Sequence, residues 1–299
     1  MSNERTTTAA DSRKKYKKKS RLYEVWRQFR KNKAAVVSLV ILLLIVIAAC
    51  SADLFWDYKT DACDINVAER LQKPCAEHIL GTDEMGRDIL CRLVYGARVS
   101  LRVGVLAATF ALLVGGTLGC IGGYFGGRID NIIMRFTDVL LSLPGLLLAI
   151  AIMSAFKQTE FFLALALGIS YISKFTRIVR SSILSVRDEE YIMAARAIGA
   201  TDRTIILRHI ILNCMAPVLV QYALAIGTRI LSVSTLSYIG MGIQAPTPDW
   251  GNMLSGARTY IRGNAYLVIG PGLALMITIS AFNLIGDGLR DALDPRLKR

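Results

Sequence analysis

Histidine is almost missing from these 299 residues, with His78 and His209 the only two, and no glycine is followed by lysine. The second absence removes the Gly-x-x-x-x-Gly-Lys-Ser/Thr loop, so the chain lacks that seat for ATP. The first leaves no recognisable setting for a Ser-His-Asp constellation. By the span assignment below, the two histidines also fall on opposite sides of a membrane and share no metal site. No catalytic residue, metal or cofactor is therefore assigned. Acidic residues are missing from the long apolar runs as well: Asp53, Asp138 and Asp287 stand only at their ends. A gradient-driven transporter needs titratable groups at mid-membrane, so that class is disfavoured.

What remains is apolar length. Hydrophobic residues make up 53% of the chain and mean hydropathy is +0.43, values of a polytopic helical membrane protein. Residues 34–52, 103–125, 139–156 and 265–286 are each about long enough to cross a ~30 Å hydrocarbon core. Two further spans are less clean. Residues 161–173 need an amphipathic continuation, and 216–236 carry Arg229. Six spans are expected. Arg229 lies about 13 residues into its span, where it either faces a central cavity or snorkels to the outer headgroups.

Positive charge sets the orientation. Residues 1–33 hold twelve Lys/Arg against three Asp/Glu, whereas 53–98 hold nine acids and six bases. The run "RKKYKKKSR" lies beside an apolar span, so it reads as a cytoplasmic topology signal rather than a nucleic-acid patch. The expected organisation is a basic cytoplasmic tail (1–33), a first span (34–52) and an extracytoplasmic segment (53–98). A five-span core (99–286) and a cytoplasmic tail (287–299) follow. "IAAC" ending at Cys50 resembles a lipoprotein box, but the long basic region before it favours an uncleaved anchor. Most of the six cysteines read as packing residues. Cys63 and Cys75 fall in the outer segment, where a disulfide survives, and two readings stay open: a bond between them, or two free thiols.

Several local features carry expectations. Gly115, Gly119 and Gly123 recur every fourth residue, as do Gly122 and Gly126, and such ridges admit a second helix closely. Pro144 should kink the third span. Arg135 and Asp138 stand three apart and are expected to pair. "GTDEMGRDILCRLVYGARVSL" (81–101) is an ordered re-entry into the membrane; composition favours an interfacial helix with Arg92 and Arg98 at the headgroups. Residues 174–208 hold seven Lys/Arg and four Asp/Glu, placing them in the cytoplasm. There Asp188 caps a short helix with Glu189 and Glu190 in its first turn. Tyr191, Ala194, Ala195 and Ile198 then share one face, Gly199 stops the helix, and Thr201 or Asp202 caps the next. A wet helix with a small-residue face is best explained as a plug for a groove in another protein.

"LGTDEMGRDILCRLVYGARVSL" (80–101), "LSYIGMGIQAPTPDWGNML" (236–254) and "NLIGDGLRDALDPRLKR" (283–299) occur in an order that resembles the permease subunits of ATP-binding-cassette importers. The branch resembled is the peptide, opine and nickel one, in its oligopeptide/dipeptide C-type subunit. "MAARAIGA" (193–200) is similar to the Glu-Ala-Ala loop by which such permeases engage their ATPase. Ala194, Ala195 and Gly199 match that motif, Met193 stands where the Glu is found, and Glu189 and Glu190 lie a turn earlier. The resemblance implies an all-α membrane protein of the type I importer fold, six spans and a cytoplasmic coupling helix within 188–212. It implies Glu190, Ala194, Ala195, Ile198 and Gly199 as the ATPase contact. Its partners would be a second, homologous permease, two ATPase subunits that hydrolyse the ATP, and an extracytoplasmic solute-binding protein in a prokaryotic cell membrane. Peptides are the implied cargo, with nickel and opines as alternatives.

Overall fold

The computed structural model describes residues 21–293. No β-strand forms among them. Four helical stretches are long and apolar enough to cross a bilayer singly. They are α2 (Lys33–Phe55), α3 (Ile89–Phe125), Asp202–Tyr238 and α12 (Tyr266–Leu293). The third of these comprises α9 (Asp202–Thr204), a π-helical turn (Ile205–Ile210) and α10 (Ile211–Tyr238). Two bent pairs complete the set. α4 (Gly127–Ser142) and α5 (Gly145–Ala155) meet at 84°, and α6 (Glu160–Ile169) and α7 (Ile172–Leu184) at 48°. Counting each pair as one span gives the six expected by length and composition.

Proline does more than kink the third span. Pro144 has no N–H to continue a helix and holds Leu143 extended (φ −99°, ψ 133°), so the helix stops and restarts at a steep angle. The second break has no proline. Ser170 Oγ donates to the carbonyl of Leu167, and the Tyr171 N–H turns back to Gly168, tightening the helix end in place of continuing it.

The glycine ridge sets the centre of the fold. A Cβ at Gly115 would stand 2.5 Å from the Ile172 carbonyl oxygen, and one at Gly119 2.5 Å from that of Thr176. At Gly123 it would lie 3.2 Å from the Arg180 carbonyl. The three glycines thus let α7 lie directly on the backbone of α3. Gly126 does not extend a second ridge; its φ of +66° ends α3 and starts α4.

Two expectations about charge are corrected here. Asp138 pairs with Arg177 at 2.6 Å rather than with Arg135, because α4 packs against α7. Asp130 and Arg180 form a second α4–α7 pair. Arg92 is 2% exposed and packs inside the protein, not at headgroups. Arg98 instead reaches Asp53 at 3.1 Å and the Ala49 carbonyl at 2.8 Å, tying α3 to the last turn of α2.

The basic tail is also partly structured. Residues 1–20 lie outside the described residues, but α1 (Arg21–Phe29) buries Phe29 against Ala35 and Ala292. Asn32 caps α2 by accepting from the Ala35 N–H, and its amide donates to Asp291. Most of the 287–299 tail continues α12 as helix to Leu293, and 294–299 lie outside the described residues.

Candidate functional site

Three regions carry the sequence-derived site residues, and they lie at three levels of the bundle. At one end is the elbow. α8 (Glu190–Ala197) is preceded by Glu189, not Asp188, in the N-cap position, with no side-chain cap bond; Asp188 instead meets Arg187 at 3.3 Å. Gly199 ends it in the left-handed region at φ +81°, with the Ala200 N–H returning to the Ala195 carbonyl. Thr201 caps the following helix by accepting from the Thr204 N–H. Glu190 lies exposed in the first turn.

The expected docking face divides in two. Ile192 and Ala195, three residues apart, point inward and pack with Ile205, Ile210 and Cys214. Ala195 is therefore an anchor of the elbow to its own subunit, not part of a presented surface. Tyr191, Met193, Ala194 and Ile198 remain outside, with Ile198 85% exposed. A helix held on one side and bare on the other needs its inner face to stay folded, and the sequence pattern did not separate the two. Three further contacts fasten the elbow to the end of α3. Arg187 donates to the Gly123 carbonyl, Tyr124 hydroxyl donates to Asp202, and Arg196 lies 5.5 Å from the Tyr124 ring centre.

At the middle level lies Arg229 on α10. Its guanidinium sits 4.3 Å over the Tyr171 ring and donates to the Leu167 carbonyl and to Ser170 Oγ. Gln221 donates to the Tyr171 hydroxyl from one side. The side chain turns toward the α6–α7 break and does not snorkel along its helix to the headgroups. Its Nε is buried without a hydrogen-bond partner among the described residues.

The far end is the 56–88 loop and the start of α3. Asp83 accepts from Arg87 Nε at 2.8 Å and from the Met85 and Arg87 N–H groups, and Arg92 Nε stands 3.3 Å away. Arg92 also donates to the carbonyls of Ala62 and Pro246. These groups border a cavity of ≈ 680 Å³ with Glu84 and Asn252, where burial pushes the Glu84 carboxyl above its usual range. Asp249, fully buried, caps α11 (Trp250–Ala257) and accepts from Ser100 on α3 at 2.7 Å. Sequence reasoning missed Asp249. Its place before "WGNML" is an N-cap signal, but the Ser100 contact spans 149 residues and has none.

Cys63 and Cys75 are both free thiols in the structure. Cys63 packs with Ala62, Cys91 and Tyr95, while Cys75 is held in a turn with His78, whose N–H donates to its sulfur. Each thiol is held by its own local packing.

His78 links the loop to α3. Its Nδ1 lies 2.8 Å from Asp88, whose other oxygen caps α3 by accepting from the Cys91 N–H; Glu69 stands 3.5 Å from Nε2. The bond to Asp88, then the charges of Asp88 and Glu69, raise the imidazole pKa against the opposing effect of burial. A raised pKa means the pairing stabilises fully below the ordinary value of about 6.5 and is lost as pH climbs through the higher folded value. Amide exchange at Cys91, corrected for the intrinsic rate, should therefore quicken above about pH 6.5. In His78→Asn that pH dependence should vanish; its persistence would show that another group controls this turn.

Comparison with known proteins follows the same lines. Residues 115–299 match the family described as the binding-protein-dependent transport system inner membrane component. Residues 20–74 match the N-terminal TM domain of oligopeptide transport permease C. The chain is 46% identical over 275 residues to the dipeptide transport system permease protein of Alkalihalophilus pseudofirmus, covering 92% of this chain and 90% of that one. It is 40% identical to the glutathione transport system permease protein of Pectobacterium atrosepticum (92% and 91% covered). Against the di/tripeptide permease protein of Pseudomonas aeruginosa the identity is 38% (93% of each). Among solved structures, inward-facing crystals of the MetNI methionine ABC transporter match with a TM-score of 0.56 at 18% identity. That match covers 69% of this chain and 98% of the solved one.

Proposed function

The chain belongs to the binding-protein-dependent inner membrane permeases of ATP-binding-cassette importers, and from that membership we infer that it forms, with a second permease, a path for small peptides. It is a multi-pass transmembrane subunit with the type I importer fold, and ATP hydrolysis resides in separate subunits. Peptide cargo is the reading its relatives support best, since those named above act on dipeptides, di/tripeptides and glutathione, itself a tripeptide. Nickel and opines share the family but not those names.

Two ATPase subunits would bind at the elbow end and an extracytoplasmic binding protein at the 56–88 end. The observation that carries this reading is the outer face of α8: an apolar side chain as bare as Ile198 on a helix anchored behind by Ile192 and Ala195. Closure of the ATPases would push α8, and Arg187, Tyr124 and Asp202 would pass the movement to α3 and α10. The orientation follows positive charge, with the elbow and both termini cytoplasmic. Placed in a cysteine-free background, Thr201→Cys should then react with an impermeant thiol reagent only from inside, and labelling in intact cells would reverse the topology.

Arg229 would meet the cargo carboxylate along the path. A charge-assisted hydrogen bond contributes about 1.5–3 kcal/mol, roughly ten- to a hundredfold in affinity. In vesicles carrying the full complex, ATP-driven dipeptide uptake is the test of the function as a whole, with Ni²⁺ and an opine as competing cargoes. Arg229→Gln should weaken uptake of dipeptides at least tenfold and of C-terminal amides much less. Unchanged uptake in both Arg229→Gln and Arg229→Leu would end that role.

A further inference from the structure

The break between α4 and α5 poses a problem that the described residues do not solve by themselves. Residues 141–147 are all exposed. Around the bend, the N–H groups of Leu143, Gly145, Leu146 and Leu147 have no acceptor among the described residues, nor have the carbonyls of Leu140, Leu141, Ser142 and Leu143 a donor. Ser142 Oγ is turned back onto the Val139 carbonyl and helps none of them. α5 has 11 residues, so the bend lies about 16 Å along the span from its Ala155 end, roughly half the hydrocarbon thickness.

Unpaired backbone at that depth cannot face lipid, because each unmet group costs several kcal/mol there; it must be covered by protein or line water. The described residues do not cover it. The surroundings favour water. Ser170, at the α6–α7 break, touches both sides of the problem: it lies 3.6 Å from where a Gly145 Cβ would stand, and its Oγ accepts from the Arg229 guanidinium at 3.3 Å. The two helix breaks and the one charged side chain of α10's interior therefore meet at one level. A dry protein partner would have to supply eight matched hydrogen bonds and still leave a charge beside them.

Resting on the peptide-import reading above, we propose that the 140–147 break lines the water-filled path between the two permeases and that its unpaired main-chain groups hydrogen-bond the peptide units of the cargo. The peptide unit is the part shared by all peptides. Leu143 and Pro144 are extended (ψ 133° and 128°), which leaves the Leu143 N–H and carbonyl free to meet an extended chain. Contacts of this kind discriminate little between side chains, which suits a carrier of varied small peptides.

The test uses the complete transporter in nanodiscs, open to reagent on both sides, with the native cysteines left in place as the parent background. Leu143→Cys and Leu146→Cys are exposed positions at the break, and Leu44→Cys is a comparably exposed position in the middle of the apolar span α2. A charged methanethiosulfonate reacts with thiolate, which forms only in water. Labelling above the parent should be at least tenfold faster at 143 and 146 than at 44, and saturating dipeptide should slow it at least threefold. Rates at 143 and 146 no faster than at 44 would overturn the aqueous lining. Fast labelling that dipeptide leaves unchanged would overturn the cargo contact. Dipeptide uptake by the parent complex reconstituted in vesicles separates the two levels: no uptake defeats the functional reading, whereas uptake with a silent break defeats only this inference.

Discussion

Gly119→Ala is expected to leave almost no monodisperse permease after extraction in mild detergent, and Gly115→Ala the same. A single methyl group would do this because its neighbour is backbone: the added Cβ stands 2.5 Å from a carbonyl oxygen of α7 in both cases. A flexible side chain would swing away, but relieving this overlap means moving the whole of α7 off α3. Overpacking commonly costs ~1–3 kcal/mol, and a rigid clash where α7 lies on the backbone of α3 belongs at the top of that range or above. In lipid the loss is harder to recover, since helix association rests on close packing rather than on a hydrophobic drive. Gly116→Ala is the control. Its Cβ would sit 3.7 Å from Leu112 in ordinary contact, so it should behave as the parent in size-exclusion and thermal-melting profiles. Equal behaviour of all three variants would mean that α3 and α7 are not pressed together in the membrane.

Ile198→Asp and Ala195→Asp should both abolish transport, but at different steps. Ile198 is bare, so the substitution leaves the isolated subunit folded. In the complex it removes about 1.5–3 kcal/mol of apolar burial and desolvates a new charge, a loss of roughly 100-fold or more in ATPase affinity. Ala195 lies under the elbow, 7% exposed against Ile192 and Ile210. A carboxylate there is unpaired and buried, which commonly costs several kcal/mol and would melt α8 itself. Pull-down of the ATPase, read beside limited proteolysis at 188–204, separates them: Ile198→Asp should lose the partner and keep protease resistance, and Ala195→Asp should lose both. Retention of the ATPase by Ile198→Asp would mean that α8 does not carry the contact. Gly199→Val should fall between the two, because a β-branched residue resists φ +81° and changes the turn while both faces of α8 persist.

The contrast between those two residues shows how far a one-dimensional pattern reaches. Tyr191, Ala194, Ala195 and Ile198 lie at helical spacing, and the periodicity groups them correctly as neighbours. Which edge of that group turns toward Ile205 and Ile210 depends on where the π-helical turn places those residues, and they arrive through the fold rather than through local spacing.

The same division runs through the molecule. Sequence alone determined the apolar spans, the glycine ridge of α3, the interruption at Pro144 and the helix stop at Gly199. Each depends on length, on a missing side chain, on a missing N–H or on one residue's freedom to take positive φ, all properties carried by a short segment. Only the tertiary structure decided that Arg92 is buried against Asp83, that Asp138 takes Arg177, and that Asp249 reaches Ser100. It also brought the two helix breaks and Arg229 to one level. A charge has several partners within reach of its composition, and the choice among them is made by which helix faces pack together, because burial leaves a polar group only the partner that packing brings within hydrogen-bond distance.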